Sequence, residues 1–437
     1  MFRVQGFFNP YLVTGQSRLD AVLTITSDTV SEGVANVGAS VIGSAAANAA
    51  GRKVVGFVLD VSGSMGGEKL SQAKNAARRG IDLLSEDMWF FVVTFSGAAD
   101  VIVRACPATA TNKADAHRAI QALRASGSTA MSEGLKFALI EVKRSGAALA
   151  SVYFQTDGEN SSEDTQLASV IEQCKGVFQC DCRGIGTDWK PAELRTIASA
   201  LLGTADAVTD PAGLEEDLRS FLTRSMSKGI SGAVLRIWSP KVVKLTTVKQ
   251  MSPEIMDLMP VAKRLDDKTI DVPLGAWGTE ARDFQLAFEL PVGAIDDEIL
   301  ACRAAVVYQH AGVETKVPCD PIAVKWSGDD TLTTRISKEV AHYTGQKELA
   351  DSIQEGLDAK AKGDEDRATR LLGRAAQLAQ ESGNEEVTRR LKKVVDMVDA
   401  STGTVRLKKA DKAADMELEL GGTRTVRRRA ATPSAQS

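Results

Sequence analysis

Between residues 52 and 228 apolar runs alternate with amphipathic stretches. The runs Val54–Leu59, Trp89–Phe95, Val152–Gln155 and Phe178–Ile185 predict strands. They are continuous rather than alternating, as expected for a sheet covered on both faces. Between and after them, residues 70–84, 114–125, 163–174, 192–202 and 213–227 show helical spacing. Such alternation predicts an α/β block with a mainly parallel sheet, because parallel strands need crossover helices.

From about residue 229 the period changes. GAVLRIW, VVKLTTV, FQLAFEL and CRAAVVYQ alternate apolar and polar positions between turn signals, which is β-sandwich texture. LDAVLTITSD, near the start of the chain, alternates in the same way. It is a candidate extra strand, which would make the α/β block an insertion in the sandwich. ATRLLGRAAQLAQESG and EEVTRRLKKVVDMVD read as two helices separated by SGN, and so as a helical hairpin. After Ser401 eight basic residues stand against four acidic ones, and the segment reads as a basic, disordered tail. The expected divisions are 1–50, an N-terminal segment; 51–228, α/β; 229–330, sandwich; 331–400, helical; and 401–437, tail.

The chain has 437 residues and a formal charge of −4, too small to point to nucleic-acid or membrane binding. Val34–Gly51 carries no charge but is Ala-, Gly-, Ser- and Asn-rich, too weakly apolar to span a bilayer. The first thirty residues lack a secretory pattern, so a cytoplasmic location is expected. The six cysteines form no CxxC pair, and Cys180 and Cys182 read as buried strand thiols. Three histidines leave little material for a nucleophilic triad.

The candidate chemistry begins at LDVSGSMGGEKL. Asp60 ends the first predicted strand of the block, and Ser62 and Ser64 follow in a glycine-rich loop. In open α/β sheets ligands sit at the carboxyl ends of the strands. A carboxylate with neutral hydroxyls is a hard-oxygen set suited to Mg²⁺ or Mn²⁺. SGSTAMSEGL places Thr129 before a helix, and YFQTDGEN places Asp157 at a strand end, where the loops should converge.

Asp60, Ser62, Ser64, Thr129 and Asp157, in this order and these contexts, resemble the metal-ion-dependent adhesion site of the von Willebrand factor A (vWA) domain. The resemblance covers about 52–228 and implies a doubly wound, Rossmann-like fold. It implies that Ser62, Ser64 and Thr129 ligate the metal directly, and that Asp60 and Asp157 act mostly through coordinated water. One position would stay open for an acidic residue of a protein partner. The further segments resemble actinobacterial vWA proteins of the tellurium-resistance and stress-signalling type. Those work beside serine/threonine kinases, phosphatases and forkhead-associated proteins. The implied function is an intracellular adaptor or scaffold. An accessory subunit of an AAA+ ATPase of the MoxR or chelatase type is the alternative. A metal-dependent hydrolase is the weakest reading, because the ligands are mainly hydroxyls and Glu133 and Glu159 read as surface carboxylates rather than bases. In the tail, Thr423 and Thr425 beside Arg424 and Arg427–Arg429 are candidate phosphorylation sites for recognition by a forkhead-associated domain.

Overall fold

A computed structural model describes residues 1–28, 52–161, 164–310, 313–335, 337–409 and 411–428, without the side chain of His310. The uncharged Val34–Gly51 stretch, Glu163 and the tail from Arg429 onward lie outside these residues.

The α/β unit is a six-stranded sheet of β4 (Lys53–Asp60), β5 (Trp89–Phe95), β6 (Ala99–Pro107), β7 (Leu149–Thr156), β8 (Gln179–Ile185) and β9 (Ala205–Val208). Its order is β6-β5-β4-β7-β8-β9, all parallel except the β5–β6 edge pair. The helices are α1 (Glu68–Asp82), α2 (Ala110–Ala122), α3 (Met131–Ser145), α4 (Leu167–Cys174), α5 (Pro191–Ala200) and α6 (Leu214–Ser227). Val55, Phe57 and Leu59 of β4 face α1, α2 and α6, while Val54 and Val58 face α3, α4 and α5. Two buried faces explain the continuous apolar strands. Gly56 is required by packing, because a Cβ there would fall 2.1 Å from the Phe91 ring.

A further set of strands, mostly antiparallel, forms two sheets around one apolar core. One contains β1 (Phe2–Phe7), β3 (Arg18–Ser27), β15 (Glu280–Glu289), β11 (Lys244–Ser252) and β12 (Met256–Asp257). The other contains β13 (Lys263–Arg264), β14 (Thr269–Trp277), β10 (Ile230–Trp238), β16 (Glu298–His310), β18 (Ile322–Ser327) and β2 (Tyr11–Val13), with β17 (Val313–Pro318) also paired to β16. LDAVLTITSD forms most of β3 and lies between β1 and β15. The chain therefore enters the α/β unit after β3, in one sheet, and leaves it into β10, in the other.

The short α7 (Asp330–Thr333) leads to α8 (Lys338–Ala361), α9 (Glu365–Glu381) and α10 (Glu385–Val394). The helical region thus holds more than the expected hairpin, and its last predicted helix is too long. VDMVD turns away at Val395 as β19 (Val395–Asp399), which pairs with β20 (Thr404–Leu407). Its β-branched residues suit the strand.

The described part of the tail is ordered, contrary to the expected disorder. α11 (Lys412–Gly421) has two apolar edges at i,i+4 spacing. Ala414 and Leu418 enter the helical core, and Met416 and Leu420 enter the α/β core. The basic residues that follow find acids far away in sequence. Arg424 pairs with Asp206 and Glu386, Arg427 with Asp283 at 2.7 Å, and Arg428 with Glu339. Thr423 Oγ1 donates to Glu254 at 2.8 Å, and Thr425 Oγ1 to the Met251 carbonyl at 2.6 Å. Both threonines are half-buried and anchored, not mobile and accessible as expected. Low apolar content concealed a segment held largely by ion pairs and backbone hydrogen bonds.

Burial works against the Asp206 charge, yet Arg424 and Arg390 hold its carboxyl below the ordinary carboxylate range. A lowered carboxyl contributes stability above its unfolded value, near pH 4, and the contribution is lost as pH falls through the folded value. The 423–428 segment is therefore expected to stay docked from neutral pH down to about pH 4 and to loosen below it. Asp206→Asn should reproduce the loosening at neutral pH. Faster hydrogen exchange of the Thr425 amide, which donates to the Pro253 carbonyl at 2.9 Å, measures it.

Candidate metal centre

β4 lies between β5 and β7, so the chain departs to one side of it and returns on the other. The crevice outside the carboxyl ends of β4 and β7 is such a switch point. Leu59 is in register with Gln155, which brings the strand-end residues Asp60 and Thr156 together. Both share strand parity with the residues facing α3, Val58 and Phe154. Thr156 Oγ1 donates to Asp60 Oδ2 at 2.5 Å, and the Ser62 amide donates to Asp60 Oδ1 at 2.7 Å.

The five expected residues meet here. Ser62 Oγ lies 3.2 Å from Ser64 Oγ, and Ser64 Oγ donates to Asp157 Oδ1 at 2.7 Å. Thr129 closes the ring from the other side. A Cβ on Gly158 would stand 3.2 Å from Thr129 Oγ1 and 3.6 Å from Ser64 Oγ. The missing side chain of Gly158 leaves a cradle between these hydroxyls.

The loops are tied to one another. The Gly63 amide donates to the Gly127 carbonyl at 3.0 Å, and the Ser161 amide to the Thr129 carbonyl at 2.7 Å. The first turn of α3 lacks a cap of its own; Asn160 and Asp164 accept from the Met131 and Ser132 amides. Thr129 is therefore fixed by the loop after β7.

Asp60 and Asp157 are fully buried. Burial pushes the Asp60 carboxyl above its ordinary value, against the hydrogen bonds from Thr156 and Ser62. Its donors are neutral, so its charge lacks a counter-ion among these contacts. A divalent cation in the hydroxyl-lined cradle would supply one, and the donor set therefore fits a hard metal ion. Asp157 differs, because Lys69 Nζ lies 2.6 Å from its Oδ2.

Thr156 and Lys69 were not singled out in the sequence. Strand parity with Phe154 would have flagged Thr156, whereas Lys69 looks like any first-turn helix residue. Glu133 and Glu159 are ion-paired with Lys136 at 3.1 Å and Lys190 at 2.6 Å. Cys180 and Cys182 are buried free thiols with sulfurs 3.9 Å apart.

Two family models match the chain, the von Willebrand factor type A domain over residues 53–207 and its C-terminal domain over 377–422. A solved structure, von Willebrand factor type A from Catenulispora acidiphila, is 38% identical, with a TM-score of 0.87. The alignment covers 98% of this chain and 97% of that one. The chain belongs to the von Willebrand factor type A family. The ArnB paralog VWA2 from Sulfolobus acidocaldarius shares the fold at a TM-score of 0.60 and 14% identity, over 97% of this chain and 98% of that one. An uncharacterized Synechocystis protein is 32% identical over 46% of this chain. The chain spans about half the length of that curated relative, 49%. vWA domains are generally non-enzymatic protein-interaction modules that commonly bind a divalent metal. Among the described residues no helix is long and apolar enough to cross a membrane.

Thr156→Val keeps the shape but takes the hydroxyl donor from Oδ2 of buried Asp60, leaving the Ser62 amide on Oδ1. It is expected to destabilise the metal-free vWA protein by about 1–3 kcal/mol, measured by urea unfolding in EDTA.

Proposed function

We propose that this vWA protein is a metal-dependent protein-interaction module. Asp60, Ser62, Ser64, Thr129 and Asp157 would hold Mg²⁺, or Mn²⁺, and the ion would grip an acidic residue of a partner protein. The observation that carries this reading is the meeting of the Thr129 and Ser64 hydroxyls on the cradle at Gly158, with Ser62 Oγ 3.2 Å from Ser64 Oγ, beside two buried carboxylates. Neutral hydroxyl ligands leave a divalent ion electrophilic, and Mg²⁺ readily shares its coordination with an external anion. The adaptor role is favoured over hydrolysis because the oxygens gathered here are mainly neutral hydroxyls rather than the carboxylate-rich set and general base that metal-assisted hydrolysis draws on.

Gly158→Val fills the cradle and replaces no ligand residue, its Cβ standing against Thr129 Oγ1 and Ser64 Oγ. It should reduce Mg²⁺ affinity by about a hundredfold, some 2.7 kcal/mol, with an unchanged circular dichroism spectrum. Calorimetric titration with Mg²⁺ measures the loss, and wild-type-like affinity would place the ion elsewhere.

For the partner, a tagged pull-down in Mg²⁺ and in EDTA, with Asp60→Ala as control, is decisive. Proteins retained only with Mg²⁺ and intact Asp60 support the reading. The same proteins in every condition would move the contact away from this site.

A further inference from the structure

Lys69 stands in the first turn of α1, and its stem runs past Gly186 in the loop after β8. A Cβ on Gly186 would lie 3.3 Å from Lys69 Cε and 3.6 Å from Nζ. Gly186 also has φ +69°, so both space and backbone favour glycine there. Through this passage the ammonium reaches 2.6 Å from Asp157 Oδ2, with the lysine side chain 24% exposed and the aspartate side chain fully buried. A second acid, Asp188, is 3.7 Å away but 70% exposed. Solvent screens that contact, and it contributes little. The other oxygen of Asp157 accepts the Ser64 hydroxyl at 2.7 Å. One buried carboxylate therefore serves both a candidate metal ligand and a fixed cation.

The charge count has a consequence. Asp60, Asp157 and a divalent ion would cancel. With Lys69 included, the ion-loaded site keeps a surplus positive charge. We propose that Lys69 supplies this surplus, and so sets the balance between holding the metal and capturing a partner's carboxylate. The same ammonium weakens the grip on a divalent cation by repulsion and strengthens the grip on an incoming anion by attraction. In a partly buried site a unit charge a few ångströms away changes either equilibrium by at least about tenfold. The proposal rests on the metal-dependent reading above.

Lys69→Met keeps most of the stem and removes the charge, Lys69→Gln removes the charge but keeps a hydrogen-bond donor, and Lys69→Arg keeps the charge. Mg²⁺ binding to the full chain is measured by calorimetry. Acetate binding to the Mn²⁺-saturated chain is measured by paramagnetic relaxation of its methyl protons. Both neutral variants are expected to bind Mg²⁺ about tenfold or more tightly than wild type, and acetate about tenfold or more weakly. Lys69→Arg should stay near wild type in both. Thermal unfolding adds a readout independent of any ligand. In EDTA the neutral variants should melt lower, because buried Asp157 loses its cation, and Mg²⁺ should raise their melting temperature more than that of wild type.

Unchanged or weaker Mg²⁺ binding by both neutral variants, with wild type binding normally, would overturn the assignment and make Lys69 a residue that only positions Asp157. Unchanged acetate binding would overturn the anion half. If neither wild type nor the neutral variants bind Mg²⁺, the metal reading itself fails and takes the lysine proposal with it.

Discussion

A carboxylate buried at the end of a central parallel strand constrains the loops around it. Asp60 has no exposed surface, and its charge is met by a hydroxyl and an amide rather than a cation. Burying an ion in this way is costly unless its surroundings are fixed. The surroundings are fixed by register: β4 and β7 run parallel with Leu59 opposite Gln155, which delivers Thr156 to Asp60. The loop after β7 then secures α3 and Thr129. Strand register and loop order together therefore set the surroundings of this one carboxylate.

The same logic explains what could be seen in advance. Asp60, Ser62, Ser64, Thr129 and Asp157 were legible because strand ends and glycine-rich loops leave a clear pattern, and they do converge. The alternating sandwich strands were legible for a similar reason: period-two burial is written locally in each segment. Thr156 was passed over: its parity with Phe154 marks it as inward-facing, but its partner Asp60 is known only once β7 is set beside β4. Lys69 was hidden by its helix, where a charged first-turn residue is the commonest solvent-facing feature.

The C-terminal segment was misread because its stability is non-local. Arg427 finds Asp283 and Arg424 finds Asp206 across 144 and 218 residues. Composition reports that such a stretch is polar, but not that its charges have matching acids on three different units. Asp283 shows the density of these ties: it also accepts from Thr24 of β3 and Tyr343 of α8. Buried acids distributed over the chain thus organise both the candidate metal centre and the docking of the tail.

The position of the α/β unit inside the sandwich bears on how the chain assembles. Strand β3 must pair with β15, and Thr24 meets Asp283 across 259 residues. Closing so long a loop in an unfolded chain is entropically unfavourable and slow. Here most of the loop is a folded body whose two ends are adjacent, since Lys53 Nζ donates to the Met226 carbonyl at 2.9 Å. Once that body has folded, its first strand and its last helix hold the points of entry and exit side by side. A folded body removes its own length from the loop that the β3–β15 pairing must close, which lowers the entropic cost of that closure.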